Sequence, residues 1–296
     1  MAVKLCVCPW CGIPKNMEHG RRRPARGDDL WHEVFLNEEE AAAAPSLAQS
    51  IADGHSILVL HQVAPVSLCD AVAAEASAAA TKERSARCLA GLVRMPVVDL
   101  VSERCAALCD SLLLNQLERI DDAAPSLLSS LFDSILDTPR TTAFGNASLG
   151  WSEGEPALNI YTPGGCFTPH EDEQSLTCLL NVSSPTNFSG GGTAFWSQKL
   201  AGEGHSDAER NPPMCLITPP IGTALIFGGQ VTHAAQPLLT GERIVFVASF
   251  SPAIEPRDTV TAAPEECSLA ELCAALTGEQ PPSSCAQPSS PRPSFV

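Results

Sequence analysis

The sequence predicts an α+β fold in which a mostly helical first half precedes an all-β region. Residues 68–88, 99–119 and 125–136 have the length, composition and apolar spacing of helices. From 157 to 251 the chain consists instead of short segments rich in β-branched and aromatic residues, separated by Gly, Pro and Asn. Short strands repeated in this way indicate a sandwich or a barrel.

Residues 1–55 are expected to form a poorly structured lead-in, with helix-forming composition at 33–50. A strand, "SILVLHQV" (56–63), opens the predicted domain, which spans 56–262. Its helical part is placed at 56–150 and its β part at 157–251.

Six strands are predicted in the β region, and Gly190–Gly192 are predicted to form a hairpin turn between two of them. The strands are "ALNIYTP" (157–163), "SLTCLLNVS" (175–183), "GTAFWS" (192–197), "MCLITP" (214–219), "GTALIFGG" (222–229) and "RIVFVASF" (243–250). A further helix is predicted at 263–278, and the Pro/Ser-rich residues 279–296 are predicted to be disordered.

The charge distribution disfavours some classes of partner. The net charge is −16, and residues 1–26 carry six basic residues and one acidic residue, so the rest of the chain carries −21. Such an acidic body repels phosphates, which disfavours binding to nucleic acid or to an anionic membrane. The sequence also lacks a secretory signal and an apolar run near the roughly 20 residues of a membrane span.

Thirteen cysteines are scattered along the chain without regular spacing. Together with the missing signal, this pattern predicts reduced thiols in a cytoplasmic or other reducing compartment. Cys6, Cys8 and Cys11, with His19 as a fourth ligand, leave a zinc site open as an alternative to a solvated N-terminal linker.

The stretch "YTPGGCFTPHEDE" (161–173) places a histidine among acids after a sharp turn. If 166–173 is extended, His170 and Asp172 share one side, and Glu171 and Glu173 point to the other. The pair then offers an imidazole and a carboxylate to a metal; a solvated acidic turn is the alternative.

A third ligand is available in His233, which follows the strand predicted at 222–229. The other histidines lie outside the β region or in the polar loop around His205. Two histidines and one carboxylate on one side of a barrel form a facial triad, which leaves three positions of an iron ion open.

The last predicted strand carries an arginine on the face of Val245 and Val247, opposite Ile244 and Phe246. Arg243 inside a barrel would be costly unless an anion met it. A dicarboxylate that chelates the metal at one end would supply that anion at the other.

These motifs carry a resemblance to a known family. The segments "NIYTPGGCFTPHED", "LTCLLNVS", "GGGTAFWS", "PPIGTALIFGG" and "THAAQPLLTGERIVFV", within 157–250, resemble the prolyl 4-hydroxylase-like branch of the 2-oxoglutarate/Fe(II)-dependent dioxygenases. The resemblance implies a double-stranded β-helix (jelly roll) core packed against N-terminal helices. It also implies His170, Asp172 and His233 as catalytic residues and iron ligands.

The resemblance assigns four further residues to the cosubstrate site. Arg243 and the hydroxyl of Tyr161 would bind the far carboxylate of 2-oxoglutarate, and Thr177 and Asn181 would line the pocket. The collagen-type members carry lysine at the position of Arg243, so the chain is closer to other hydroxylases here.

The implied reaction is hydroxylation of a C–H bond by O2, with release of succinate and CO2 and with ascorbate as a reductant. Peptidyl proline is the substrate that the resemblance indicates, and other proteins or peptides and small molecules remain open. Three rivals also remain: a nucleic-acid demethylase of the same fold, a cupin-type metalloenzyme that uses no 2-oxoglutarate, and a catalytically silent binding barrel. The sequence does not indicate an oligomeric state.

Overall fold

The computed structural model describes residues 30–83, 91–97, 102–132, 149–197 and 211–252, and these form an α+β fold with antiparallel sheets. The helices are α1 (Glu38–Ala43), α2 (Leu47–Ala52), α3 (Val66–Glu83), α4 (Glu103–Ala123) and α5 (Leu127–Leu131). The N-terminal cysteines, the helix predicted at 263–278 and the tail at 279–296 lie outside the described residues.

The structure has strands at all six segments predicted in the β region, together with strands that the sequence did not suggest. The strands are β1 (Trp31–Phe35), β2 (Ser56–Leu60), β3 (Leu92–Pro96), β4 (Leu149–Trp151), β5 (Ala157–Tyr161), β6 (Leu176–Asn181), β7 (Phe188–Gly190), β8 (Thr193–Phe195), β9 (Cys215–Ile217), β10 (Thr223–Phe227), β11 (His233–Ala235), β12 (Leu238–Gly241) and β13 (Arg243–Pro252).

The strands form one large sheet and two small ones. The large sheet has eight strands in the order β1-β2-β10-β6-β13-β5-β3, with β4 paired to the end of β13. The second sheet is β11-β8-β9, and the third is the pair β12-β7. Strand β13, which is ten residues long, is paired along both edges near the middle of the large sheet, and its first eight residues are buried.

The two faces of β13 belong to two different cores, because successive side chains of a strand point to opposite sides. Ile244 and Phe246 pack in a cluster with apolar residues of α3 and α4. Val245 and Val247 pack in a second cluster with residues of β8 and β9 from the small sheet. The large sheet is therefore covered by helices on one face and by strands on the other.

Helices α3 and α4 supply most of the helical side of the first core. Helix α4 buries Cys105, Cys109, Leu112 and Leu113, which have the i, i+4 and i+3 spacings of one helix face. It begins one residue after Ser102, whose hydroxyl accepts from the backbone N–H of Cys105 at 3.2 Å. This cap explains why the helix starts later than the predicted residue 99.

The expectation of a poorly structured lead-in is wrong for the described part of 1–55. Residues Trp31–Phe35 form an edge strand that pairs antiparallel with β2, and α1 and α2 follow it. Both helices have side-chain caps, from Asn37 and Ser46. The strand forms because Val34 and Phe35 are buried against the sheet, a tertiary contact that local composition does not encode.

The part predicted as helical, 56–150, also contributes three strands to the large sheet, namely β2, β3 and β4. The last two were missed because they are short, at five and three residues. Among the described residues, no helix combines the length and the apolar character needed to cross a bilayer.

Candidate metal and cosubstrate site

His170 and His233 are held next to each other by the backbone. They form an isolated antiparallel bridge in which each residue's N–H donates to the other's carbonyl, both at 2.9 Å. Two residues further, the N–H of Asp172 donates to the carbonyl of Gly229 at 2.9 Å. His233 lies in the short strand β11, which the sequence analysis did not predict.

The predicted extension of 166–173 is only partly correct. His170 is the one bridged residue of this stretch, and Glu173 has a positive φ of 56°. His170 and Asp172 nevertheless point to the same side, as their spacing predicts. The neighbouring acid Glu171 is outside the donor set, and its carboxylate accepts from the hydroxyl of Thr232 at 2.9 Å.

Three side chains present their donor atoms to one point. The Nε2 atoms of His170 and His233 each lie 3.6 Å from an oxygen of Asp172, and all the donor atoms are within 4.8 Å of one another. Ligands about 2.1 Å from a metal at right angles are about 3 Å apart, so small side-chain movements would close this set on an ion.

The protonation of the two imidazoles suits a metal. Nδ1 of His170 lies 2.8 Å from the carbonyl of Thr168, and Nδ1 of His233 lies 3.0 Å from the carbonyl of Val231. Because a carbonyl only accepts, Nδ1 is the donor in each of these hydrogen bonds, which leaves Nε2 as the nitrogen that can bind a metal. Burial lowers the pKa of His233, although Asp172 opposes this, so the neutral ring is favoured.

Thr177 orients the carboxylate of the same set. Its hydroxyl donates to Oδ2 of Asp172 at 2.6 Å and lies 3.2 Å from the hydroxyl of Ser249. The residue does not line the cavity, contrary to the expectation from the resemblance. Thr177 contacts the carboxylate of Asp172 from outside the cavity, and its hydrogen bond fixes the rotation of that carboxylate.

Arg243 and Tyr161 are direct partners across β13 and β5. The guanidinium carbon lies 5.5 Å from the centre of the Tyr161 ring. Burial raises the pKa of Tyr161, so its hydroxyl stays protonated and able to donate.

Arg243 is only 2% exposed, yet its polar contacts are weak. Its two terminal nitrogens donate to the carbonyl of Gly192 and to the hydroxyl of Thr193, both at 3.3 Å. In the described part of the chain, Nε has no hydrogen-bond partner and no carboxylate lies within ion-pair distance of the guanidinium. Burial lowers the pKa of this arginine, as expected for a cation without a counter-ion.

The glycines at 190–192 position the carbonyl of Gly192 that accepts from Arg243. The predicted hairpin is wrong, because β7 pairs with β12 whereas β8 pairs with β11. The three glycines, all at positive φ, carry the chain from one small sheet to the other. At Gly192, whose φ is 98°, any other residue would be strained and its Cβ would lie 2.7 Å from the hydroxyl of Thr218, so glycine suits the position whose carbonyl meets Arg243.

A cavity of about 310 Å³ joins these groups. The three candidate ligands, Arg243 and Tyr161 all line it. Its apolar wall consists of Phe167, Leu179, Ala235, Val245 and Val247. The metal donors and a cation without a carboxylate partner among the described residues thus line one cavity.

Asn181 is outside this cavity, which corrects the expectation that it lines the pocket. Its amide nitrogen donates to the carbonyls of Ser183 and Pro219, at 2.8 and 2.9 Å. The residue therefore anchors the end of β6 to the chain that precedes β10.

Six polar residues that line the cavity were missed from the sequence, and three of them, Arg94, Glu155 and Asn159, form a network. Arg94 pairs with Glu155 at 2.5 Å and donates to the side-chain oxygen of Asn159 at 3.3 Å. The other oxygen of Glu155 accepts from the N–H of Ser249 at 2.5 Å. Burial raises the pKa of Glu155, and Arg94 opposes this. The sequence offered one signal of this polar network, because Asn159 is a polar residue inside the otherwise apolar strand "ALNIY".

Comparison of the sequence with protein-family models and with curated proteins gives no match. Solved structures are similar at low identity. A viral collagen prolyl hydroxylase from Paramecium bursaria Chlorella virus-1, in complex with 2-oxoglutarate, is 14% identical with a TM-score of 0.44, over 69% of this chain and 99% of that one. A Pseudomonas putida prolyl-4-hydroxylase is 15% identical with a TM-score of 0.41, over 70% and 99%.

HygX from Streptomyces hygroscopicus, with nickel and 2-oxoglutarate bound, is 14% identical with a TM-score of 0.45, over 69% of this chain and 85% of that one. The similar structures are thus prolyl hydroxylases and other 2-oxoglutarate/Fe(II) oxygenases, the superfamily that the sequence resembles. At these TM-scores the function of this chain rests on its own site residues.

Proposed function

We propose that this chain is an Fe(II)- and 2-oxoglutarate-dependent dioxygenase that hydroxylates a C–H bond, built on a double-stranded β-helix. One observation carries the proposal: the His-Asp-His donor set and a buried arginine without a counter-ion line the same cavity. The first suits a metal with open positions, and the second suits the far end of a dicarboxylate.

The metal would be held by His170, Asp172 and His233, which act as a facial triad. The donor set fits iron because both Nε2 lone pairs are free and one carboxylate completes it. Bound iron would supply the oxidising chemistry, in which O2 and 2-oxoglutarate give succinate, CO2 and one hydroxyl group on the substrate. Ascorbate would serve to keep the metal reduced.

The protein's own residues would bind and orient the cosubstrate. Arg243 would pair with the far carboxylate, and Tyr161 would add a hydroxyl donor to it. The long 3.3 Å contacts of Arg243 leave its guanidinium free to turn toward an anion. Neither residue is required to transfer a proton.

The apolar wall would shield the reaction from water. Leu179, Val245 and Val247 come from adjacent strands of the large sheet, and Phe167 comes from the turn before His170. A dry cavity strengthens the pairing of Arg243 with its ligand and protects a reactive oxidant from side reactions.

The substrate is proposed to be a protein or peptide, such as peptidyl proline, or a small molecule. The cavity of about 310 Å³ is at the lower end of the range for ligand pockets, so cosubstrate and only a small part of a substrate would fit. The net charge of −21 outside residues 1–26 disfavours nucleic acid as the substrate.

Succinate formation tests the proposal. Purified protein with Fe(II), ascorbate and 2-oxoglutarate should release succinate slowly without substrate, and this release should depend on O2. A metalloenzyme that does not use 2-oxoglutarate would leave it intact, and a silent barrel would neither bind nor consume it. Stimulation by an oligonucleotide would support the demethylase instead.

A further inference from the structure

The cavity has two ends of opposite charge. At the buried end lies Arg243, whose Nε has no partner among the described residues. At the mouth lie two exposed acids, Glu153 and Glu171, which line the same cavity. A buried cation without a carboxylate partner among the described residues favours an anionic ligand at this end of the cavity.

The charges of the filled cavity do not balance. Its lining carries four carboxylates and two guanidinium groups, and Arg94 is already neutralised by Glu155 at 2.5 Å. The +2 charge of a divalent metal ion would cancel the −2 charge of 2-oxoglutarate. The formal charges of Arg243 and Asp172 would also cancel. The carboxylates of Glu153 and Glu171 then remain, both at the mouth.

We propose that the primary substrate carries an alkylammonium group and that Glu153 and Glu171 bind it at the mouth of the cavity. The inference rests on the proposed function, because it places 2-oxoglutarate at the Arg243 end. Glu171 uses one oxygen to accept from Thr232, which leaves its second oxygen for a ligand. An ammonium group has three donors and can therefore bridge two carboxylates.

The size of the cavity limits how much of the substrate enters. At about 310 Å³ it would hold the cosubstrate and a chain of a few carbon atoms. A lysine side chain of a peptide and a free amine of similar length present the same chemistry. These two sources differ only in what lies outside the mouth.

Binding to the holoenzyme under anaerobic conditions tests the inference, because the substrate then binds without turnover. Calorimetry would use protein loaded with Fe(II) and 2-oxoglutarate. One pair of probes is Nα-acetyl-lysine amide and Nα-acetyl-norleucine amide; acetylation removes the α-ammonium, so the two differ only in the ammonium at the end of the same four-carbon side chain. The second pair is a short peptide with one lysine and the same peptide with norleucine, both with acetylated N-termini. Whichever pair responds identifies the source of the amine.

We expect the lysine member of one pair to bind about threefold to tenfold more tightly than its norleucine counterpart, since each exposed charge pair contributes modestly. Glu153→Gln should remove most of this preference, and Glu171→Gln should do the same. Glu39→Gln is the control: it removes an exposed acid of α1 that does not line the cavity, and the preference should persist.

Equal binding of lysine and norleucine in both pairs, including no binding of either, would overturn the inference. So would a preference that survives in Glu153→Gln and Glu171→Gln. Slow succinate release by the same preparation without probe separates this outcome from failure of the proposed function, since that release does not need an ammonium group.

Discussion

Replacement of Arg243 is the most informative perturbation of this site. In the structure Arg243 is 2% exposed, and among the described residues its guanidinium donates two hydrogen bonds, both at 3.3 Å, to Gly192 and Thr193. An anion that pairs with it in this desolvated position gains a charge-assisted contact that costs about 2–5 kcal/mol to break. Arg243→Ala should therefore weaken 2-oxoglutarate binding by about 30-fold or more.

Two further variants should weaken 2-oxoglutarate binding less than Arg243→Ala does. Arg243→Lys should recover part of the affinity, because it keeps the charge and loses the planar two-pronged donor. Tyr161→Phe removes one neutral donor, which is worth about 1 kcal/mol, or roughly fivefold in affinity. Arg104→Ala serves as the charge control, since Arg104 is an exposed arginine of α4.

The assay is a titration of 2-oxoglutarate against succinate formation at saturating Fe(II), with metal affinity measured separately. The KM for 2-oxoglutarate should rise in Arg243→Ala, whereas affinity for Fe(II) should change little. An unchanged KM would refute the assignment of Arg243 to the cosubstrate.

Stability of the ligand-free protein provides an independent check on the same residue. A buried cation without a counter-ion is unfavourable, so Arg243→Met, which keeps the aliphatic volume, should not lower the Tm. Added 2-oxoglutarate should raise the Tm of the native protein and not that of Arg243→Met. A large fall in Tm without ligand would show that Arg243 has a structural role instead.

Four further predictions concern the metal site and its surroundings. Asp172→Ala should abolish Fe(II) binding without unfolding the protein, while Glu173→Ala should leave it nearly unchanged; metal titration with circular dichroism checks both. Thr177→Val should weaken metal affinity by about tenfold, because the donor to Asp172 is lost, and Thr177→Ser should restore it; equal affinities would contradict this role. Gly229→Ala should destabilise the protein by about 1–3 kcal/mol in denaturant unfolding, since its Cβ would overlap the carbonyl of Gln174; wild-type stability would refute this. Deletion of residues 1–26 should leave succinate formation intact, and stoichiometric zinc lost with the deletion would contradict the linker interpretation.

The β region was predictable because its signals are local. Alternation in "RIVFVASF" assigned Arg243, Val245 and Val247 to one face, and the structure places all three at the cavity. The spacing of His170 and Asp172 likewise places both on one side of an extended chain. Short apolar segments between turn residues mark strands wherever they pack.

The errors lie where tertiary contacts override local composition. Strand β1 exists because β2 offers an edge on which Val34 and Phe35 are buried. The glycines at 190–192 were mistaken for a hairpin turn, since the sequence does not show that β7 and β8 join different sheets.

The sequence by itself determined the types of residue at the site and the order in which they occur, because ligand chemistry and strand alternation are properties of the chain. Tertiary structure alone decided their surroundings. It placed Thr177 behind Asp172, moved Asn181 out of the cavity and brought Arg94 beside Glu155 across 61 residues of sequence. The physical reason is that hydrogen bonds and ion pairs form between groups that strand pairing brings together, and strand pairing depends on the burial of the whole sheet.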